Sequence, residues 1–179
     1  LLTLTRLVLV PFFALLVLDG RTWSLGLASL LVAVGFISDL VDGYLARLWK
    51  QISDFGICFD PIVDKIFVLS AFAVLVNESR LALSPLPLIM IIIREMMVSG
   101  LRVILLVGKS GLLPAEKFGK LKSALQFSLI FVLTLVLCLG SIQATQMIVQ
   151  RWTLIWNILF WLIGIFSLAS GFPYFRQSW

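Results

Sequence analysis

Asp39-Leu40-Val41-Asp42-Gly43-Tyr44-Leu45-Ala46-Arg47, followed by Gly56, Asp60 and Asp64, joins two hydrophobic segments. Four of the nine acidic residues in the chain stand at those spacings. A helix turns by about 100° per residue, so steps of three and four keep side chains on one face. Asp39 and Asp42 therefore share a face of one predicted helix, and Asp60 and Asp64 share a face of the next. The short connection between the helices lets those faces oppose each other. Like charges held that close need a counter-charge, and a divalent cation with oxygen ligands supplies one.

The surrounding composition is that of a lipid-embedded chain. Its 179 residues are 61% hydrophobic and only 13% charged, with a mean hydropathy of +1.11. Soluble chains are about 45–50% apolar. A soluble domain is excluded, and the length suits one domain over residues 1–179, an all-α integral membrane bundle. The chain has no histidine, so acid–base work falls to Asp, Glu, Lys or Tyr. Cys58 and Cys138 lie in different hydrophobic regions, make no metal or disulfide pattern and read as packing residues. The chain opens on Leu1 rather than Met, so native residues are expected before it. The first apolar run lacks a small-residue cleavage site and is not expected to be a cleavable signal.

Six transmembrane helices are predicted, over Leu1 to Leu18, about Ser24 to Arg47, about Gly56 to Val76, about Pro85 to Val107, about Phe118 to Leu139 and about Trp152 to Ala169. Pro11 is an expected kink, Pro61 either stands in the first turn of the third span or kinks it, and Pro173 and Arg176 fall beyond the last span. Polar turns stand at Asp19-Gly20-Arg21, Lys50 to Asp54 and Asn77 to Arg80, and a loop holds Lys109, Gly111 and Pro114. Trp23, Trp152, Trp156 and Trp161 favour span ends, as interfacial aromatics do. With both termini cytoplasmic, Arg6, Arg47, Lys50, Lys65, Arg102, Lys109, Lys117, Lys120, Lys122 and Arg176 fall inside. Arg21, Arg80 and Arg151 fall outside, and Arg94 is mid-span. By the positive-inside rule the aspartate motif faces the cytoplasm.

Charge within a span is costly and marks function by default. Capping of a helix end would explain one aspartate pair, but not two matched pairs. Gly43 and Ala46 reduce bulk on the aspartate face, so that a ligand or backbone can approach. Arg47 adds a donor fork suited to phosphate. Metal-binding carboxylates beside small residues and an arginine are what a pyrophosphate substrate needs. A second constellation comprises Arg94 and Arg102, about two turns apart with Ser99 nearby, and Lys117, Lys120 and Lys122. Snorkelling explains Lys117 and Lys109 as well as ligand binding does. Arg94, mid-span, must instead face a cavity or an acid such as Glu95. A cationic pocket beside a metal site would hold a second, anionic substrate.

The pattern Asp-x2-Asp-Gly-x2-Ala-Arg-x8-Gly-x3-Asp-x3-Asp resembles the signature of the CDP-alcohol phosphotransferases, with every fixed position present. Thr3 to Arg6 with Pro11-Phe12, Ile93-Arg94-Glu95 through Arg102, and Gly119-Lys120-Leu-Lys122 are similar to family members that use glycerol 3-phosphate. The resemblance covers nearly the whole chain. It implies transfer of the phosphatidyl group from CDP-diacylglycerol to glycerol 3-phosphate in phospholipid biosynthesis, in a bacterial cytoplasmic membrane. It implies Mg²⁺ or Mn²⁺, two ions shared by Asp39, Asp42, Asp60 and Asp64. The CDP-lipid would meet Thr3, Arg6, Asp42, Gly43, Ala46, Arg47 and Gly56, and the acceptor phosphate Arg94, Arg102, Lys120 and Lys122. Asp64 is the candidate general base by the same resemblance. Membrane lipids are expected partners, nucleic acid is not, and a homodimer is left open. Three alternatives stand beside this reading: phosphatidylglycerol as acceptor, as in cardiolipin synthesis; inositol phosphate or serine as acceptor; and a divalent-cation transporter. A transporter would place its acids near the midplane on broken helices, not at the cytoplasmic ends of two spans.

Overall fold

The computed structural model describes residues 2–49, 54–107, 117–142, 147 and 151–177, with side chains over 8–37, 65–101, 121–142, 147 and 151–171. The described residues form six long helices and no strand. They are α1 (Leu2–Asp19), α2 (Thr22–Trp49), α3 (Asp54–Asn77), α4 (Leu86–Val107), α5 (Lys117–Gly140) and α6 (Thr153–Gln177). The predicted loop residues Lys50, Lys109, Gly111 and Pro114 lie outside the described set. So does the Cys58 side chain, whereas Cys138 is a free, partly buried thiol.

Each core-facing stripe follows helical spacing. On α5, Phe127, Ile130, Leu133 and Leu137 recur every three or four residues and are buried, and on α3 Val68, Phe72 and Leu75 do the same. These helices are the hubs. α3 packs against α1, α4 and α5, while α5 packs against α2, α3 and α6; α1 also meets α2, and α4 meets α6. Phenylalanines link the layers, with Phe13 6.0 Å from Phe67, Phe67 stacked 5.9 Å from Phe127, and Phe127 5.5 Å from Phe36. Offset and tilted pairs at these separations are favourable aromatic contacts.

The outward faces are apolar as well. Phe12, Leu15 and Leu18 on α1, and Leu154, Leu162 and Ile165 on α6, are exposed. A helix apolar on every side belongs in a core or in lipid, and these residues are not in the core. Leu121–Gly140 and Thr153–Gly171 are long and apolar enough to cross a membrane; Val8–Asp19, Thr22–Ile37 and Lys65–Asn77 are shorter apolar runs.

One expectation needs correction. The last helix does not stop at Ala169 but runs through Pro173 to Gln177. A proline removes one backbone donor and can be absorbed where neighbouring groups satisfy the freed carbonyl. Lys65 stands about three turns into α3, on the same stripe as Val68 and Phe72, and its side chain is directed into the bundle.

The α3–α4 connection is pinned from α6. Ala82 has a positive φ of 46°, a conformation that favours glycine. Asn157 holds it there by donating to the Ala82 carbonyl at 2.8 Å and accepting from the Ser84 amide at 2.8 Å. Next to this turn, Arg80 donates to both oxygens of Glu78 at 2.8 and 3.0 Å. That side-chain bond holds the Glu78 carboxyl below its ordinary range. A depressed carboxyl stabilises the fold above its unfolded value and loses that contribution as pH falls through the folded one, so this turn loosens only in acid. Asn157→Ala is expected to lower the melting temperature in detergent, at a cost of about 1–3 kcal/mol for two bonds. Ala82→Gly in the same background should recover part of the loss, because it relieves the left-handed backbone. No change on Asn157→Ala would remove the pin.

Candidate active site

Three core stripes carry a charge where an apolar residue is expected. Lys65 precedes Val68 and Phe72 on α3, Glu95 lies between Ile91 and Val98 on α4, and Lys122 precedes Gln126 and Leu129 on α5. Because α3 packs against both α4 and α5, these charges meet. Glu95 is 2% exposed, Lys122 3% and the neighbouring Arg94 6%. Arg94 Nη1 donates to Glu95 Oε1 and Oε2 at 3.2 and 3.3 Å. Lys65 Nζ lies 3.2 Å from Oε2, and Lys122 Nζ donates to Oε1. Lys65 also donates to Ser99 Oγ, which in turn donates to the Glu95 carbonyl at 2.6 Å. One carboxylate thus gathers three cations from three helices.

Small residues let this cluster form. A Cβ on Gly171 of α6 would stand 3.2 Å from Arg94 Cγ, so a larger residue would push the arginine aside. One turn away on the same helix, Ser167 Oγ is buried without a hydrogen-bond partner, as is Gln126 Nε2 one turn beyond Lys122. Unsatisfied buried donors are uncommon in folded proteins and call for a partner.

The aspartate motif divides between two helices. Asp39, Asp42, Gly43, Ala46 and Arg47 lie on α2, and Gly56, Asp60 and Asp64 lie on α3. Both pairs sit within unbroken helix, so the spacings of three and four put each pair on one face. Both α2 and α3 pack against α1 and α5. The side chains of these residues are outside the described set. So are those of Thr3 and Arg6 on α1, Arg102 on α4 and Lys120 on α5. The two constellations touch in sequence, because Asp64 is followed at once by Lys65.

The family model described as CDP-alcohol phosphatidyltransferase matches residues 1–165. The chain belongs to the CDP-alcohol phosphatidyltransferase family. A relative from Rickettsia typhi is 31% identical over 175 residues, covering 98% of this chain and 93% of its own. One from Cereibacter sphaeroides is 31% identical over 208 aligned positions, covering 99% and 93%. One from Escherichia coli is 36% identical over 127 residues, 70% of each chain. All three are named CDP-diacylglycerol–glycerol-3-phosphate 3-phosphatidyltransferase.

In this phosphatidyltransferase the structure brings Arg94 and Lys122 together, as the sequence suggested, with Glu95 as the acid that Arg94 required. Lys65 is the cluster member that sequence reasoning missed. Its stripe spacing to Val68 and Phe72 was a usable signal, but a lysine near a predicted span end resembles a snorkelling residue. Ser99, noted only as a neighbour, is a bonded member of the cluster.

Glu95 contacts three cations, so removing its charge should cost more than removing any one of them. Breaking a buried ion pair so that charge is left uncompensated costs about 3–5 kcal/mol. Glu95→Gln is therefore expected to lower the melting temperature in detergent by more than Lys122→Met does. The reverse order would mean that Glu95 is not the hub.

Proposed function

We propose that this protein is a multi-pass enzyme of the cytoplasmic membrane that transfers the phosphatidyl group of CDP-diacylglycerol to glycerol 3-phosphate, releasing CMP. The observation that carries the reading is the join at Asp64-Lys65. The last aspartate of the family motif is followed by a lysine that reaches Glu95 and Ser99, where Arg94 and Lys122 also converge. An acidic motif suited to a metal-bound pyrophosphate thus adjoins a buried basic cluster, and basic side chains of this kind suit a phosphorylated acceptor.

On this reading the acyl chains stay in lipid. Arg47, with Thr3 and Arg6 of α1, meets the CDP-lipid headgroup, and Gly43, Ala46 and Gly56 leave room for its cytidine. Arg94 and Lys122, with Arg102 and Lys120 toward the cytoplasm, hold the acceptor phosphate and direct its primary hydroxyl at the phosphorus that bears diacylglycerol. Asp64 takes the hydroxyl proton, the new oxygen–phosphorus bond forms, and the bond to CMP breaks. Two oxygen donors on each of two helices fit Mg²⁺ or Mn²⁺, so Asp39, Asp42, Asp60 and Asp64 would hold two such ions. When bound, the ions neutralise charge on the pyrophosphate and on departing CMP. The Lys and Arg asymmetry supports six spans with both termini and the site on the cytoplasmic side.

The direct test offers the purified protein CDP-diacylglycerol with glycerol 3-phosphate, phosphatidylglycerol, inositol phosphate or serine, and identifies the lipid formed. Phosphatidylglycerophosphate from glycerol 3-phosphate is expected, and a chelator should abolish it. Product from another acceptor alone would overturn the reading. The role of Asp64 is separable from ligation by comparing Asp64→Asn with Asp60→Asn across metal concentrations. Each should nearly abolish turnover. Added metal should restore part of the rate for Asp60→Asn and not for Asp64→Asn; rescue of both would leave Asp64 a ligand only.

A further inference from the structure

Lys65 follows the last aspartate of the motif and reaches α4, yet the reaction proposed above uses neither its charge nor its proton. We infer that Lys65 is a positioning residue for the phosphatidyl transfer. Its clamp on Glu95 and Ser99 fixes the rotation of α3, and with it the place of the Asp60 and Asp64 register. This rests on the role proposed above for those aspartates and adds the device that holds them.

Pro61 stands between the two aspartates in a helix that runs unbroken from Asp54 to Asn77. A proline gives no amide hydrogen to the carbonyl four residues back, so α3 is least self-supporting where the aspartates lie. Its orientation there must come from neighbouring helices. At about 100° per residue, Asp60, Asp64, Phe67 and Ala71 fall within about 60° of one another around the α3 axis. Measured from Asp64, Phe67 lies about 60° to one side and Lys65 about 100° to the other. The aspartate register therefore lies between two held directions, both within one turn of Asp64. Phe67 is the aromatic hold, 6.0 Å from Phe13 of α1 and stacked 5.9 Å from Phe127 of α5. Lys65 is the polar hold. Its Nζ lies 3.2 Å from Glu95 Oε2, and it donates to the Glu95 carbonyl at 3.4 Å and to Ser99 Oγ. Glu95 and Ser99, one turn apart on α4, are themselves joined by the bond from Ser99 Oγ to the Glu95 carbonyl. Apolar contact is non-directional and tolerates rolling, whereas hydrogen bonds weaken steeply off their axis. The lysine therefore sets the angle that the phenylalanine leaves free. A side-chain atom about 6 Å from a helix axis moves about 1 Å when the helix turns by about 10°. Misplacement of reacting groups by about 1 Å costs about a hundredfold in rate.

The test compares Lys65→Met, Lys65→Arg and Ser99→Ala with a packing control, Val68→Ala, which removes buried apolar contact from the next turn of the same stripe and leaves the clamp. Each purified variant is measured in detergent for melting temperature, for Mn²⁺ binding by electron paramagnetic resonance, and for kcat and both KM values in CMP release. Lys65→Met should weaken Mn²⁺ binding and lower kcat at saturating Mn²⁺, each by about ten- to a hundredfold, with the KM for glycerol 3-phosphate nearly unchanged. Lys65→Arg, which keeps the charge and its donors, should recover part of both losses. Ser99→Ala removes one contact of the clamp and should shift both quantities the same way by a smaller factor. Val68→Ala should lower the melting temperature with Mn²⁺ binding and kcat near native. Native Mn²⁺ binding and kcat in Lys65→Met would overturn the inference. So would a loss confined to the acceptor KM, the mark of a ligand, or equal losses in Val68→Ala at a matched fall in melting temperature, the mark of a weakened fold. If Lys65→Met does not fold, Ser99→Ala decides, and native values there reject the clamp. Native protein that binds no Mn²⁺ would instead reject the metal role of the aspartates, and the kcat comparison would then decide the clamp by itself.

Discussion

A carboxylate buried among three cations constrains everything around it. Glu95, Arg94 and Lys122 are nearly inaccessible to solvent, and a charge taken out of water is costly unless its partners are held in good geometry. Those partners lie on three different helices. The packing of α3 against α4 and α5 is therefore tied to a polar contact as well as to the phenylalanine ladder. Hydrophobic contacts tolerate sliding; an ion cluster fixes the depth at which the helices meet. Polar contacts between membrane helices are each modest, typically about 0.6–2 kcal/mol, so registry rather than bulk stability is their larger effect.

The α4–α6 contact makes the site usable. A Cβ on Gly164 would lie 3.1 Å from Pro87 Cα, and one on Gly171 would press on Arg94. Small residues on α6 thus bring its backbone against α4, as close helix packing in lipid requires. At the far end of the same pair, Asn157 fixes the α3–α4 turn. Arg94 is thus backed by a helix anchored at both ends. A site that binds a small charged acceptor needs such support, because loosely held cations lose geometric advantage before they lose charge.

Much of this was legible in the sequence. Six helices followed from hydropathy and turn residues, and their bounds agree within a few residues except at the C-terminal end of α6. The spacing of the aspartates placed each pair on one helix, and of the two surroundings expected for Arg94, a cavity or an acid such as Glu95, the structure shows the pair with Glu95. The reach of Lys65 was not legible. A lysine one residue past the aspartate motif reads equally well as a snorkelling residue, and the packing of α3 against α4 is what brings it to Glu95. The neutralising geometry of Glu95 was hidden for a related reason. Helical spacing gives the face of a residue on its own helix but not the height of that face against a neighbour. The close backing of Arg94 by Gly171 joins positions far apart in the chain and left no local signal.

The central claim is that the acceptor phosphate sits on the cations Glu95 gathers, next to the aspartate motif. An experimental structure of the enzyme with glycerol 3-phosphate bound tests it most directly. The expected result is a phosphate with oxygens within about 3 Å of basic nitrogens from Arg94 and Lys122, and with Glu95 still in contact with the cluster. A phosphate bound elsewhere, with the Glu95 cluster closed as it is here, would contradict the account.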